Sequence, residues 1–207
     1  MKVLLVNGSP NQKGCTYTAL AEVAKVLEEE GIETEIFWIG KKPLGGCLAC
    51  ESCGKLGKCV LDDAVNVFHE KAKQADGFIF GTPVYFASAA GNLTAFLDRL
   101  FYSASRDVFR LKPGAAVVSA RRAGTTAALD QIQKYFTISE MPVVSSRYWN
   151  MVHGLTPEDV LQDAEGLYTM RVLARNMAYF LRCREAAKKL GVELPQRETP
   201  AYTNFIR

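Results

Sequence analysis

Residues 3–20 read VLLVNGSPNQKGCTYTAL, four apolar residues running directly into a polar loop bracketed by glycines. Val3, Leu4, Leu5 and Val6 are too few for a helix and apolar throughout, the mark of a strand buried on both faces. From Leu20 the apolar residues return at helical spacing, through Val23 and Leu27. Between strand and helix, Asn7, Ser9, Asn11, Cys15, Thr16 and Thr18 supply amide, hydroxyl and thiol groups, while Gly8 and Gly14 permit positive φ and close backbone approach. The helix that follows aims its unpaired N–H groups and its dipole at the same place. A phosphate suits that end. The loop is not a Walker loop, because Cys15 and Thr16 follow Gly14 where Lys and Ser or Thr would stand; nor does the Gly8 to Gly14 spacing match a dinucleotide fingerprint. Hydroxyls without the Walker lysine suit a phosphate monoester that needs no magnesium. An ordinary connection with a Ser-Pro turn is the alternative.

The rest of the chain repeats the strand-loop-helix pattern. Gly31 stops the first helix, and residues 32–39 alternate into a second strand with Ile32, Ile36 and Trp38 available for burial. Residues 40–61 then lose all periodicity and hold four of the six cysteines, predicting a long structured loop. Asp62 or Asp63 can cap a helix to about Ala75 with Val65, Phe68 and Ala72 inward. Residues 78–80 are a third strand, followed by TPVYFAS at 82–88, with Ser88 opening a helix through Leu93, Phe96, Leu97 and Leu100. Residues 115–118 are a fourth strand leading into SARRAGTT at 119–126 and a helix to about Phe136. Residues 142–146 are read as the fifth strand, before a loop with Arg147, Tyr148, Trp149, Asn150 and His153. Thr156, Pro157, Glu158 and Asp159 start a long helix to about Leu190; residues 191–207 read as an irregular tail.

Five strands alternating with five helices predict an α/β chain, a parallel sheet wrapped on both faces in three α/β/α layers. With 207 residues, 48% hydrophobic and 23% charged, a single domain over 1–207 is expected. A net charge of +3 is too small to point to nucleic acid. Residues 77–97 carry no charge, but Gly81, Pro83, Gly91 and Asn92 interrupt them, which argues against a membrane span. The four apolar residues before Asn7 lack the length of a secretory signal, so a cytoplasmic protein is expected.

GSPNQKGCT and GTPVYFASAAGNLTAFLDR resemble the two signature loops of the flavodoxin-like NAD(P)H-dependent FMN reductases, over roughly the first two thirds of the chain. The resemblance implies a flavodoxin-like doubly wound five-stranded sheet of order 2-1-3-4-5. It implies that Ser9, Asn11, Cys15, Thr16 and Tyr17 hold the FMN phosphate, that Pro83, Val84, Tyr85 and Phe86 run along the ring, and that Ser119, Arg121 and Gly124 complete the pocket. Asn11 stands where many relatives have a basic residue and Cys15 where Asn or Ser is common, which shifts the phosphate toward backbone amides. The implied activity is transfer of electrons from NAD(P)H through FMN to a quinone, a flavin or another small electrophile. No catalytic side chain is assigned, because hydride acceptance belongs to the flavin. For Tyr85 and Phe86, core packing is the alternative; for Arg121 and Arg122, plain exposure. A flavin-binding regulatory protein without turnover is the reading from another class. A homodimer or homotetramer completing the flavin pocket is expected, with Tyr202 and Phe205 of the tail available to it; the other expected partner is a small acceptor or an electron-transfer protein.

Cys47, Cys50, Cys53 and Cys59 are spaced Cys-x2-Cys-x2-Cys-x5-Cys. The first three resemble the compact half of a ferredoxin run, and the whole resembles the 4Fe-4S motif of iron-sulfur flavoproteins, which implies a cluster relaying electrons to or from FMN. Zinc remains open, although its sites usually pair two separated knuckles, as do free or redox-active thiols. Cys183 is expected as a small buried hydrophobe, His69 as a solvated surface residue, and His153 as a candidate for the flavin or substrate pocket.

Overall fold

In the computed structural model, which describes residues 1–205, the first apolar run is strand β1 (Lys2–Asn7). Its side chains divide between two clusters, Leu4 and Val6 on one face and Val3 and Leu5 on the other. Helix α1 (Cys15–Glu29) and strand β2 (Glu33–Trp38) follow, and a single-turn helix α2 (Cys53–Leu56) lies within the cysteine-rich loop. Helix α3 (Ala64–Ala72) starts on Asp63, whose carboxylate accepts the Val65 N–H at 3.0 Å. Strand β3 (Gly77–Tyr85) turns back into the two-residue β4 (Ser88–Ala89) before helix α4 (Gly91–Ser103). Strand β5 (Gly114–Ala120), helix α5 (Thr125–Ile138), strand β6 (Met151–His153) and helices α6 (Pro157–Gln162) and α7 (Ala164–Lys189) complete the order.

Strands apolar on both faces need cover on both. Phe78 and Phe80 of β3 with Ala116 and Val118 of β5 face α3, α4 and α5, while Ile79, Ala115 and Val117 face α1, α6 and α7. The main sheet runs β2-β1-β3-β5-β6, all parallel, with β4 antiparallel to the end of β3. With β4 set aside this is the predicted order 2-1-3-4-5. No helix among the described residues is long and apolar enough to cross a membrane. Tyr202 and Phe205 are exposed in the tail, whose last two positions, 206–207, lie outside the described residues.

The fifth strand is not residues 142–146. Only Val143 bridges Gly114 there, and pairing resumes at Met151, Val152 and His153 against Val118, Ser119 and Ala120. Val144 is buried in the α1/α7 cluster and so imitates a strand pattern, but the polar residues after it leave the sheet and expose Tyr148 and Trp149. The helix expected from Ser88 begins at Gly91, because Ser88 and Ala89 pair with Tyr85 and Val84. The long last helix is two: Asp163 ends α6, and its carboxylate accepts the Gly166 N–H at the start of α7. Cys183 is exposed, on the face of α7 turned away from the buried Met177, Ala178 and Leu181.

His69 is buried beside Phe68, not solvated, and among the described residues neither of its ring nitrogens has a hydrogen-bond partner. Burial pulls its pKa below the ordinary value, with the Lys73 charge adding to it. The unfolded chain therefore binds a proton more readily than the fold does: the fold is stable above about pH 6.5 and loses stability as pH falls from there through the lowered folded value. Each unit of difference is worth about 1.4 kcal/mol. Urea unfolding of wild type should show this acid slope, and His69→Leu, which removes the titration and two orphaned polar atoms, should flatten it. An unchanged slope in the variant would assign the effect to other groups.

Candidate functional site

The loop between β1 and α1 is shaped from below by Asn7, fully buried where the strand ends. Its Oδ1 accepts the Ser9 N–H at 3.1 Å, and its Nδ2 donates to Gln12 O at 3.0 Å. Trp38 Nε1, at the end of β2, donates to Ser9 O at 2.8 Å. Gly8 N donates to Gly81 O at 2.9 Å, and a Cβ on Gly8 would stand 2.8 Å from that oxygen and 2.9 Å from Leu93 Cβ. The loop is thus pressed onto β3 with no space for a side chain. Helix α1 opens on Gly14 without a side-chain cap, which leaves the positive end of its dipole toward the loop.

The predicted phosphate residues occupy this loop in different ways. Ser9 is buried and its Oγ accepts the Asn11 N–H at 3.1 Å, whereas Asn11 is exposed. Cys15 is half-buried and its thiol points to Gly154 O at 3.7 Å; burial pushes its pKa up, and the nearby Asp159 and Glu158 push the same way. The Thr16 hydroxyl is buried against the Ser119 hydroxyl at 2.8 Å, which ties the first loop to the end of β5. Tyr17 holds the Lys13 ammonium 3.8 Å above its ring.

The second loop is a hairpin. Pro83 and Val84 are half-buried, Tyr85 is exposed, and Phe86 and Ala87 form the two-residue turn with φ of 52° and 57°. Such turns favour Asn-Gly, and an L-residue in this region costs roughly 1–2 kcal/mol. Strain of that kind persists only where neighbours over-determine the shape. Here Gln131 Oε1 accepts from Ser88 Oγ at 2.8 Å and Ala89 N at 3.0 Å. Gly124, at φ 89°, comes so close that a Cβ on it would meet Ala87 Cα at 2.7 Å. Phe86 is wholly exposed at the tip. Arg121 and Arg122 are exposed, and His153 Nε2 donates to Arg122 O at 3.1 Å, placing His153 at the rim of the third loop.

The cysteine loop lies against the outer side of α4. Cys47, Cys50, Cys53 and Cys59 line one small cavity with Leu48, Val60, Leu61, Arg99 and Tyr102. Among the described residues, no three His, Cys, Asp or Glu side chains are gathered so as to grip a metal ion. Ala49 and Glu51, on either side of Cys50, have φ of 49° and 57°. The Ser52 hydroxyl and amide hold the Cys50 thiol below its ordinary range. Asn66 pins the loop's return, accepting Cys59 N–H at 3.0 Å and donating to Cys59 O at 2.9 Å. Arg99 is 1% exposed and fully bonded: Nε donates to Cys59 Sγ at 3.2 Å, and its two terminal nitrogens grip Asp63 at 2.6 and 3.0 Å.

Three residues that position the loops, Trp38, Gln131 and Arg99, carry no mark in sequence as site residues. Arg99 left one trace, a charge in phase with the apolar Phe96 and Leu100 of α4, but its partner Asp63 is 36 positions away.

Residues 1–156 match the family described as NADPH-dependent FMN reductase. An iron-sulfur flavoprotein of Methanocaldococcus jannaschii is 35% identical in an alignment 185 residues long that covers 86% of this chain and 96% of that protein. RosB, solved with a bound 8-demethyl-8-formylriboflavin-5'-phosphate intermediate, is similar at a TM-score of 0.70 and 15% identity, over 100% of this chain and 94% of that one. A flavodoxin from the domain Archaea is similar at a TM-score of 0.59 and 14% identity, over 88% and 99%. These two likenesses speak for the fold, which is flavodoxin-like. The chain belongs to the NADPH-dependent FMN reductase family, and with it to the FMN-dependent oxidoreductases.

Proposed function

We propose that this protein takes hydride from NAD(P)H onto FMN held by the loops after β1, β3 and β5, and passes the electrons to a small acceptor such as a quinone, a free flavin or another electrophile. The observation that carries this reading is the junction of the three loops: the Thr16–Ser119 bond joins the first to the third, and the Gly124–Ala87 contact joins the third to the second. When bound, FMN supplies the hydride-accepting ring; the protein supplies position and access. Ser9, Asn11 and the backbone N–H groups of Cys15, Thr16 and Tyr17 hold the phosphate at the uncapped helix end. Pro83, Val84, Tyr85 and Phe86 border the ring, and Ser119, Arg121 and Gly124 close its far side.

Protein purified under nitrogen should be yellow, release FMN on denaturation, and bleach on addition of NADPH or NADH with turnover when a quinone is supplied. A colourless protein that takes up no added FMN would sink the proposal. Flavin that is bound but never reduced by either nicotinamide would favour the regulatory reading instead. Reaction rates with the two nicotinamides decide the preference between them.

A second subunit covers the open flavin shelf in this reading, because Tyr85, Phe86 and Trp149 stand exposed on one chain, as do Tyr179 and Phe180 of α7. A homodimer or homotetramer is therefore expected in light scattering. A reducing cytoplasm suits six free thiols, and neither nucleic acid nor membrane is an expected partner.

The cysteine cavity supports the finer reading of an iron-sulfur flavoprotein, with Cys47, Cys50, Cys53 and Cys59 holding a 4Fe-4S cluster. What supports the cluster over zinc is the spacing: three of the cysteines stand two residues apart in one compact run, as in a ferredoxin, whereas zinc sites usually pair two separated knuckles. Leu48, Val60 and Leu61 line the cavity with the four cysteines, and left-handed residues beside the ligands are the backbone shape that turns amides toward an anionic centre. Iron and sulfide analysis of the nitrogen-purified protein tests this.

A further inference from the structure

Resting on the cluster reading of the cysteine loop, we infer that Arg99 is the positioning residue of that centre, fixing the Cys59 sulfur on the cavity wall and holding the centre's reduction potential up with a buried positive charge. The guanidinium has five N–H donors; three are used on this loop and two on Asp63, the cap of α3. Besides the bonds to Cys59 and Asp63, Nη1 donates to Gly45 O at 3.4 Å and Nη2 to Leu61 O at 2.8 Å. Gly45 precedes Cys47 by two residues and Leu61 follows Cys59 by two, so one side chain ties both ends of the ligand run to α4. A loop could be tied without a charge. What is specific here is that the donor facing sulfur belongs to a cation removed from water, where its field is little screened.

The potential of such a centre is set by net charge, by hydrogen bonds to its sulfurs and by solvent access. Uptake of one electron adds one negative charge, makes or breaks no bond, and moves no proton in this scheme. A fixed cation and an N–H donor at a ligand sulfur favour the state with that extra electron. Asp63 partly cancels the same field, since its carboxylate lies 2.6 Å from the guanidinium. The two residues therefore act with opposite sign, a signature that a purely structural staple lacks.

The test is an anaerobic titration with dithionite, followed by electron paramagnetic resonance, on the iron-loaded full chain. Arg99→Gln should move the equilibrium toward the oxidised centre by tenfold or more, about 59 mV for one electron. Arg99→Lys keeps a charge but loses the Nε–H···S bond, and should move it the same way by less. Asp63→Asn, which retains a helix cap and an acceptor, should move it the opposite way. If Arg99→Gln does not fold, the opposed signs of the lysine variant and Asp63→Asn still decide the matter. Variants that titrate within about twofold of wild type would overturn the inference while leaving the cluster reading intact. Wild type that takes up no iron or sulfide would overturn both, and does so before any variant is made.

Discussion

Gly8→Val is expected to purify without flavin and to bind added FMN about 5- to 150-fold more weakly than wild type. The first contact a side chain meets at this position is the Gly81 carbonyl, at 2.8 Å, and the second is Leu93 Cβ, at 2.9 Å. Neither is the free end of a flexible chain, so the loop itself has to lift. Overpacking of this sort costs about 1–3 kcal/mol, and at 1.4 kcal/mol per tenfold this gives the stated range if the displacement falls on the phosphate contacts. Lifting the loop breaks the Gly8–Gly81 bond and misplaces Ser9 and the start of α1 together. Fluorescence titration with FMN measures the loss. Unchanged affinity in a folded variant would mean that this loop does not hold the phosphate.

Asp63→Ala is expected to destabilise the protein by about 3–5 kcal/mol, the range for removing one partner of a buried ion pair. The residue left behind is Arg99, which is 1% exposed and cannot turn its charge to water. The change also removes the cap of α3, worth roughly 1 kcal/mol. Because the Asp63 side chain is itself 30% exposed, the lower half of the range is the better expectation. Urea unfolding at constant m-value reads the difference. Glu70→Ala, which opens the exposed ion pair with Lys73, is the control and should leave the midpoint where it was. Equal midpoints for the two variants would show that the Arg99 charge is not stranded.

The alternation of sheet and helix was legible because each central strand has an apolar run in it, Val3 to Val6, Phe78 to Phe80 and Ala115 to Val118, and each loop that follows does not. The first loop was legible for the same reason: Gly8, Ser9 and Gly14 interrupt an apolar run at one place. What escaped were features made by partners distant in sequence. His69 has charged neighbours along the chain, which suggested a wet surface, but its helical phase places it with Val65, Phe68 and Ala72. The β3/β4 hairpin has no Asn-Gly signal, because its turn is held by Gln131 and Gly124 from elsewhere and not by its own residues. Residues 142–146 carry the apolar spacing of a strand through Val144, yet the register that completes the sheet belongs to three residues further on. The bond between the Thr16 and Ser119 hydroxyls, 103 positions apart, joins the start of α1 to the end of β5 and left no trace in the sequence either.

The cysteine stretch departs from the sheet after β2 and rejoins it at α3 without contributing a strand to the five of the main path. Its moorings are side chains of neighbouring helices: Asn92 at Lys42 and Leu44, Asn66 at Cys59 and Leu61, Arg99 at Gly45 and Leu61. It is therefore fastened to the body of the protein by three side chains and not by the sheet's main-chain ladder. A chain shortened across this stretch would lose the Cys59 sulfur and the Gly45 and Leu61 carbonyls as Arg99 acceptors, and the guanidinium would rest on Asp63 alone.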